Sequence, residues 1–308
     1  MVVGAPARTP SRRTQRWRWL VVFGGGLALW IIAVLTVAAT GNPNLVPTVI
    51  LLGSFLVPVT AVVWNFDHEA DSALSGQRVV YAFIAGGVLG TVAASLLEVW
   101  LVQDGVSTYL GVGLIEELVK LAALVVFSLG LSAYTTRDGI VLGAAVGFGF
   151  AALESGGYAF TALFTGPGGA SLASLVGTEV LRGLLAPLGH GLWTAILGGV
   201  LFHAASRRGR LGLTWGLVGT YLLVSVLHGL WDSMHGIAIV LTMLLSATPA
   251  QLSRLDHGAL PTVTTAQVAL FVLFEFGGMV VVSLVGIAVL YATWRRVTRE
   301  SRAAAAAG

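Results

Sequence analysis

Two adjacent glutamates and the only lysine of the chain lie within one hydrophobic segment, at Glu116, Glu117 and Lys120. Glu116 and Lys120 are four residues apart, so a helix would place them on one face as an ion pair. The second glutamate then has no cation of its own. Two neighbouring carboxyl groups with different proton affinities are what general acid and base chemistry requires. Charged groups inside a lipid-spanning helix are costly and usually mark a functional site.

Further polar residues interrupt the three hydrophobic segments that follow. Glu154 follows Phe150 by four residues, and His190 lies between two glycines. His228 precedes Asp232 by four residues, so the two share a helical face. A helical rise of about 1.5 Å per residue places these groups in the outer third to half of the bilayer, within one or two turns of one another. Random placement would scatter them, so the shared depth indicates a single site.

The composition is that of a polytopic membrane protein. Of 308 residues, 56% are hydrophobic and 10% charged, with a mean hydropathy of +0.88. The absence of cysteine excludes disulfides, a thiol nucleophile and a thiolate metal site. The formal charge of +3 comes largely from arginines at the two ends and in loops, so it reports membrane orientation and does not indicate a nucleic-acid partner.

The fold class predicted is an all-α bundle of about eight transmembrane helices in contact with the lipid bilayer. The predicted spans are Trp17–Thr40, Leu45–Trp64, Val79–Val102, Gly111–Ala133, Gly139–Leu163, Leu181–Ala205, Leu211–Asp232 and Gln267–Trp294. The connection Thr165–Thr178 is rich in Gly, Pro and Ser and is predicted to be a plain loop.

The arginines predict the orientation, because cytoplasmic loops collect basic residues. With eight crossings, both termini and all the arginine-rich loops face the cytoplasm of a bacterial-type plasma membrane. The apolar stretch 236–245 is too short to be a further crossing. The predicted division is a basic cytoplasmic segment (1–16), N-terminal spans (17–102), a catalytic transmembrane core (111–235), an extracytoplasmic loop or partial helix (236–266), a last span (267–294) and a cytoplasmic tail (295–308).

Four motifs occur in order on successive spans: Glu116-Glu117-x-x-Lys120, Phe150-x-x-x-Glu154, the isolated His190, and His228-x-x-x-Asp232. In these motifs the sequence resembles the PrsW family of intramembrane proteases, which is related to the group that contains the CAAX prenyl endopeptidases. The resemblance implies an endopeptidase that cuts a single-pass, membrane-anchored protein near the extracytoplasmic side. The best-known substrates of the family are anti-sigma factors. The catalytic set it implies is Glu116, Glu117, Lys120, Glu154, His190, His228 and Asp232.

The mechanism that we hypothesise from these residues is hydrolysis by a glutamate-activated water. Glu116 or Glu117 would activate the water, and Lys120 would anchor the pair of glutamates. His228 and Asp232 would stabilise the oxyanion or orient the site.

A metal ion is left open by the sequence. His190, His228 and Glu154 form a plausible set of two histidines and one carboxylate for Zn²⁺, with a glutamate left as base. The HExxH helix of many zinc proteases is absent, and the related CAAX proteases resemble metal-free glutamate enzymes.

Other functions are compatible with the same residues. A proton- or ion-coupled transporter also uses intramembrane Glu, His and Asp chains. Against it, the polar groups cluster towards one side of the membrane, and no inverted repeat is visible. A catalytically idle scaffold and a purely structural ion pair remain as alternatives. Glu275, in the last span, is predicted to lie near the same height but belongs to no motif.

Overall fold

The computed structural model describes residues 17–67, 73–105, 107–165 and 170–307, which fold into α-helices without any strand. The helices are α1 (Arg18–Thr40), α2 (Val46–Asp67), α3 (Gly76–Leu101), α4 (Thr108–Ser128), α5 (Thr136–Thr165), α6 (Leu172–Leu185), α7 (His190–Arg208), α8 (Trp215–Ser246), α9 (Pro249–Asp256) and α10 (Thr265–Ala307). Short 3₁₀ turns occupy Pro43–Leu45 and Ala186–Leu188. The basic segment 1–16 lies outside the described residues.

Seven helical stretches of the described chain are long and apolar enough to cross a membrane. They contain α1, α2, α3, α5, the α6–α7 pair, α8 and α10. Helix α4 has 21 residues, enough for a crossing, but it contains the two glutamates and the lysine. With α4 the number agrees with the expected eight, and the prediction of a polytopic all-α bundle is confirmed.

The segment before α7 differs from the predicted plain loop over Thr165–Thr178. Helix α6 begins at Leu172, where the Ser171 side chain accepts a hydrogen bond from the backbone N–H three residues on. Pro187 lies in the 3₁₀ turn that interrupts the helical path, since proline has no N–H to donate. Helix α7 then starts at His190. The predicted sixth span therefore corresponds to the end of α6, the 3₁₀ turn and most of α7. Helix α6 is a separate element that reaches the site.

Helix α8 continues past the point where its span was predicted to end. It has 32 residues, or about 48 Å of helix, against a hydrocarbon core of roughly 30 Å. The stretch 236–245 was predicted not to form a separate crossing, and it extends α8. The helix continues through Gly236 because a lone glycine weakens a helix without ending it. The next helix, α9, starts with a capping box between Thr248 and Gln251. The segment 236–266 thus contains the end of α8 and all of α9.

Helix α5 forms the centre of the bundle and packs against α7 through a row of glycines. Gly139, Gly143 and Gly147 lie one turn apart, and a Cβ added at any of them would collide with a backbone carbonyl of α7. Next to Gly147 this carbonyl is that of His190. Small residues let membrane helices approach until their backbones touch. The row therefore fixes the height and the distance of His190 relative to α5.

Candidate active site

The two glutamates and the lysine of α4 form a buried ionic cluster. The Lys120 ammonium lies 2.7 Å from Glu117 Oε1 and 3.2 Å from Glu116 Oε2. It also lies 4.3 Å from the centroid of the Phe150 ring, in cation–π geometry. Lys120 and Glu117 are fully buried, and Glu116 is 6% exposed. One cation is thus shared by two carboxyl groups whose side chains leave the helix in different directions.

The histidine of α8 completes this cluster from the other side. His228 Nδ1 lies 3.1 Å from Glu117 Oε1 and donates to that carboxylate. Its Nε2 atom is buried, 3.2 Å from Asp232 Oδ2 and 3.5 Å from Glu116 Oε2. Neither of these contacts has hydrogen-bond geometry, so within the described residues Nε2 has no hydrogen-bond partner. Trp193 stacks on the imidazole with ring centroids 4.7 Å apart, which holds the ring plane.

The histidine at the start of α7 bridges two charged groups. His190 Nδ1 lies 2.8 Å from the Lys120 ammonium, and Nε2 lies 2.8 Å from Glu154 Oε2. An ammonium group only donates, so Nδ1 accepts and Nε2 carries the proton that it donates to Glu154. The contact therefore selects one tautomer of a neutral imidazole. Because His190 touches partners on α4 and α5, it ties the two motif helices together.

Arg182 of α6 belongs to the site although the sequence analysis did not name it. Its Nη2 atom lies 2.5 Å from Glu154 Oε2, and its Nε donates to Ser155 Oγ at 2.8 Å. The guanidinium also lies 4.2 Å from the centroid of the Tyr158 ring. The sequence did contain an indication of this role, because Arg182 interrupts an apolar stretch, as Lys120 does. A charged residue inside a membrane span usually marks a functional site. Arg182 lies at the start of the predicted sixth span, Leu181–Ala205, where a basic side chain is ordinarily an interfacial anchor.

A cleft of about 620 Å³ opens beside these residues, between α3, α4, α5 and α8. The carboxyl-bearing residues on its wall are Glu98, Glu116, Glu154 and Asp232. The lysine, the second glutamate and both histidines do not line the cleft and lie buried behind this wall. Of the two adjacent glutamates, Glu116 is therefore the one that a molecule in the cleft can reach, whereas Glu117 contacts only the groups behind the wall.

All seven residues predicted for the site lie together in this cluster. Glu275 does not join it: its Oε1 atom lies 3.2 Å from Nδ1 of His235, on a different part of α8. Glu98, near the end of α3, also lines the cleft.

A comparison of the sequence with family models gives one match, which covers residues 16–253, more than half of the chain. The matching family is described as the PrsW family intramembrane metalloprotease. The chain belongs to the PrsW family. It is a multi-pass membrane protein, and its family is one of intramembrane peptidases, which favours a protease over the carrier. No curated protein and no solved structure matches the chain.

The donors of this PrsW protein fit the metal ion that the family description implies. Glu116, His190 and His228 offer ligand atoms that lie within 4.8 Å of one another. Donors in a tetrahedral zinc site lie about 3.3 Å apart, close to the 3.5 Å between His228 Nε2 and Glu116 Oε2. The nitrogen of His228 that has no hydrogen-bond partner is one of these donors. The structure groups Glu116 with the two histidines in place of the expected Glu154, which occupies the opposite nitrogen of His190.

The same PrsW site already holds a cation against these donors. The ammonium of Lys120 lies 2.8 Å from His190 Nδ1 and 3.2 Å from Glu116 Oε2. A metal bound to those two atoms would be repelled by the ammonium, so Lys120 would have to turn away towards Glu117. A metal ion therefore fits these donors only when the Lys120 side chain has turned away from them.

Proposed function

We propose that the chain is an endopeptidase that hydrolyses a peptide bond of a single-pass membrane protein, such as an anti-sigma factor, at the extracytoplasmic side of a bacterial plasma membrane. The observation that carries the proposal is the position of Glu116. It lies on the wall of a cleft large enough for a segment of polypeptide, with Lys120 and two histidines directly behind it. A carboxylate in that position can take a proton from a water molecule and later return it to the leaving amine.

The residues behind the wall position this carboxylate. The Lys120 ammonium contacts both adjacent glutamates and so holds their two carboxyl groups next to each other. Glu117 accepts from Nδ1 of His228 and thereby turns Nε2 of that ring towards Glu116 and Asp232. With both ring nitrogens protonated, Nε2 would be a fixed donor that stabilises negative charge without reorganisation during the reaction.

Glu154 forms the second polar wall of the cleft. Its Oε2 atom receives bonds from both Arg182 and His190, so the carboxylate is held at one place next to the water and the substrate carbonyl. Proximity and orientation of this kind contribute strongly to hydrolysis. Glu154 is therefore the group that we expect to hold the attacking water with Glu116.

A metal ion, where bound, would be held by Glu116, His190 and His228. It would supply polarisation of the carbonyl and acidification of water. With Glu116 engaged as a ligand, Glu154 would be the remaining motif glutamate on the cleft wall that could accept a proton.

Replacement of the lysine tests the metal site by a measurement that does not depend on activity. In Lys120→Met the competing ammonium is absent, and two buried carboxylates need another cation. A unit charge pair at 4 Å interacts by about 4 kcal/mol near a protein surface, so we expect Zn²⁺ to bind at least about tenfold more tightly than in the wild type. Metal content and calorimetric titration of the purified protein measure this. Equal zinc affinities in the two proteins would contradict a site at these donors, and His190→Ala in the same background is expected to remove the gain.

The proposed activity is tested by cleavage of single-pass reporter proteins in vesicles. We expect Glu116→Gln and His228→Ala to lose cleavage, by roughly 10²- to 10⁴-fold for the proposed base. Glu275→Gln is the matched control, since it removes an intramembrane carboxylate that lies outside the cluster. Full cleavage in both site variants would refute the proposed mechanism. The natural substrate can be sought by trapping membrane proteins on the Glu116→Gln variant.

A further inference from the structure

Glu98 of α3 lies on the wall of the cleft without a cation. The other three carboxylates of the wall each have a basic partner: Glu116 contacts a lysine, Glu154 contacts an arginine and a histidine, and Asp232 contacts a histidine. Glu98 forms no ion pair with any described residue, and its Oε1 atom is buried without a hydrogen-bond partner among them. A carboxylate oxygen removed from water without a donor is costly. A hydrogen-bond donor or a cation on a bound molecule would therefore stabilise this oxygen.

The surroundings of Glu98 favour a positive group. No Lys, Arg or His lines the cleft, whereas four carboxyl groups do. Lys120 and Arg182, the cations nearest to the cleft, are already engaged by Glu117 and Glu154. A cleft lined by one sign of charge attracts groups of the opposite sign, and a low-dielectric wall strengthens the attraction.

The helix that carries Glu98 presents a polar strip along the cleft. Thr91, Ser95 and Glu98 follow one another at intervals of four and three residues, and all three line the cleft. The strip runs along α3 towards the end of that helix at Leu101. Glu98 lies three residues before this end, so it is roughly one turn from the membrane surface. Basic side chains next to a transmembrane segment place their charge at this depth.

We infer that Glu98 forms a subsite for a cationic side chain, lysine or arginine, that flanks the transmembrane segment of the substrate. The inference rests on the proposed function, because it places the substrate in the same cleft. In the predicted orientation this flank is extracytoplasmic, where basic residues are uncommon in membrane proteins. If the protease requires a basic residue at a set distance from the scissile peptide bond, few membrane proteins would therefore meet the requirement. Glu98 is a specificity-determining residue that contacts the substrate away from the reacting bond.

Binding of synthetic transmembrane peptides tests this subsite without any turnover. The chain carries Glu116→Gln and is reconstituted in nanodiscs. The peptides differ only in having Lys, Gln or Glu at one flanking position, which is moved residue by residue. We expect the Lys peptide to bind about tenfold more tightly than the Gln peptide at one position, and the Glu peptide to bind least. Adding Glu98→Gln is expected to abolish this difference, and Glu98→Lys to invert it in favour of the Glu peptide.

Two controls separate recognition from stability. The Glu275→Gln change, on the same background, is expected to leave the preference for Lys unchanged. A Glu98→Gln protein that binds all peptides more weakly by one common factor would show a structural role and overturn the inference. A preference for Lys that survives Glu98→Gln would overturn it as well.

Cleavage of the same peptides by the chain without Glu116→Gln distinguishes the two proposals. Preferential binding of the Lys peptide together with an absence of cleavage would refute the proposed protease activity and leave the subsite standing. Cleavage without any charge preference would refute the subsite and leave the protease activity standing.

Discussion

Glu116 and Glu117 are chemically identical neighbours with different environments. Successive residues of a helix point about 100° apart, so one carboxylate faces the cleft and the other faces α8. Glu117 shares its buried oxygen Oε1 with Lys120 and His228. The helix geometry thus separates a carboxylate that can meet the substrate from one that organises the groups behind it.

This difference predicts opposite effects for two isosteric substitutions. Glu116→Gln is expected to remove cleavage with little change in stability, because Lys120 keeps its closer carboxylate, that of Glu117 at 2.7 Å. Glu117→Gln removes this closer, fully buried carboxylate from both Lys120 and His228, so we expect a loss of stability of roughly 3 kcal/mol or more. Thermal unfolding in detergent, measured beside the cleavage assay, checks both. Equal unfolding temperatures for the two variants would contradict this assignment.

Arg182 is expected to act by holding Glu154. Its guanidinium bonds Glu154 and Ser155 together, a fork that a lysine cannot reproduce. Both Arg182→Gln and Arg182→Lys should therefore reduce cleavage, by roughly 10- to 100-fold as the carboxylate loses its position. Arg254→Gln, at an exposed arginine of α9, is the control. Wild-type rates in Arg182→Lys would mean that charge alone is sufficient.

At the scale of the elements, the site depends on how closely the helices approach. The glycine row of α5 brings α7 to backbone contact, and Gly113 of α4 lies against the backbone carbonyl of Ser225 in α8. These contacts connect the four helices that carry the motif residues. Since the packed interior cannot expand without losing contacts, small changes in helix spacing move the catalytic groups.

Gly143→Ala is expected to disturb this packing. The added Cβ would collide with the backbone carbonyl of Thr194, which no rotamer change can relieve, so we expect a destabilisation of about 1–3 kcal/mol together with lower cleavage. Gly219→Ala makes the same chemical change in α8 at a position with open space around the Cβ. That control should be neutral or slightly stabilising, because alanine favours helix over glycine. Thermal unfolding of both variants gives the comparison, and equal losses would contradict the role of the row.

At the scale of the whole molecule, the broken α6–α7 helix and the charged helix α4 both supply side chains to the site. Helix α6 inserts an arginine beside α5, and the chain then turns so that α7 starts at the site itself. Discontinuous helices are tolerated at membrane depth where they line a cavity or are buried in protein. The site and its cleft consequently draw on six helices, α3 to α8, none of which contains the site alone.

The predicted orientation is tested by labelling single cysteines, since the natural chain has none. With eight crossings, the connection between α3 and α4 is outside and that between α7 and α8 is inside. A membrane-impermeant maleimide added to intact cells should therefore label Asp104→Cys and leave Arg210→Cys unlabelled until the cells are opened. Labelling of Arg210→Cys from outside would reverse the orientation and would place the proposed cut on the other side.

The sequence by itself determined the helical membrane fold and the seven motif residues that lie together in the cluster. Long apolar runs dictate helices in lipid, because only internal hydrogen bonds satisfy the backbone there. The cost of burying charge marks the residues of the cluster, such as Glu116 and His228, because each interrupts an apolar run. Helical rise then predicted that they share a depth, and the structure brings them together.

Only the tertiary structure decided which groups face the cleft and which lie behind it. The rotation of each helix about its axis depends on packing against its neighbours, and no single-helix pattern contains it. For that reason the structure alone separates Glu116 from Glu117 and groups Glu116, in place of Glu154, with the two histidines as candidate metal donors. It also places Arg182 and Glu98 beside the motif residues. Local signals also failed where α6 replaced a loop, because Gly and Ser weaken a helix without forbidding one once neighbouring helices bury it.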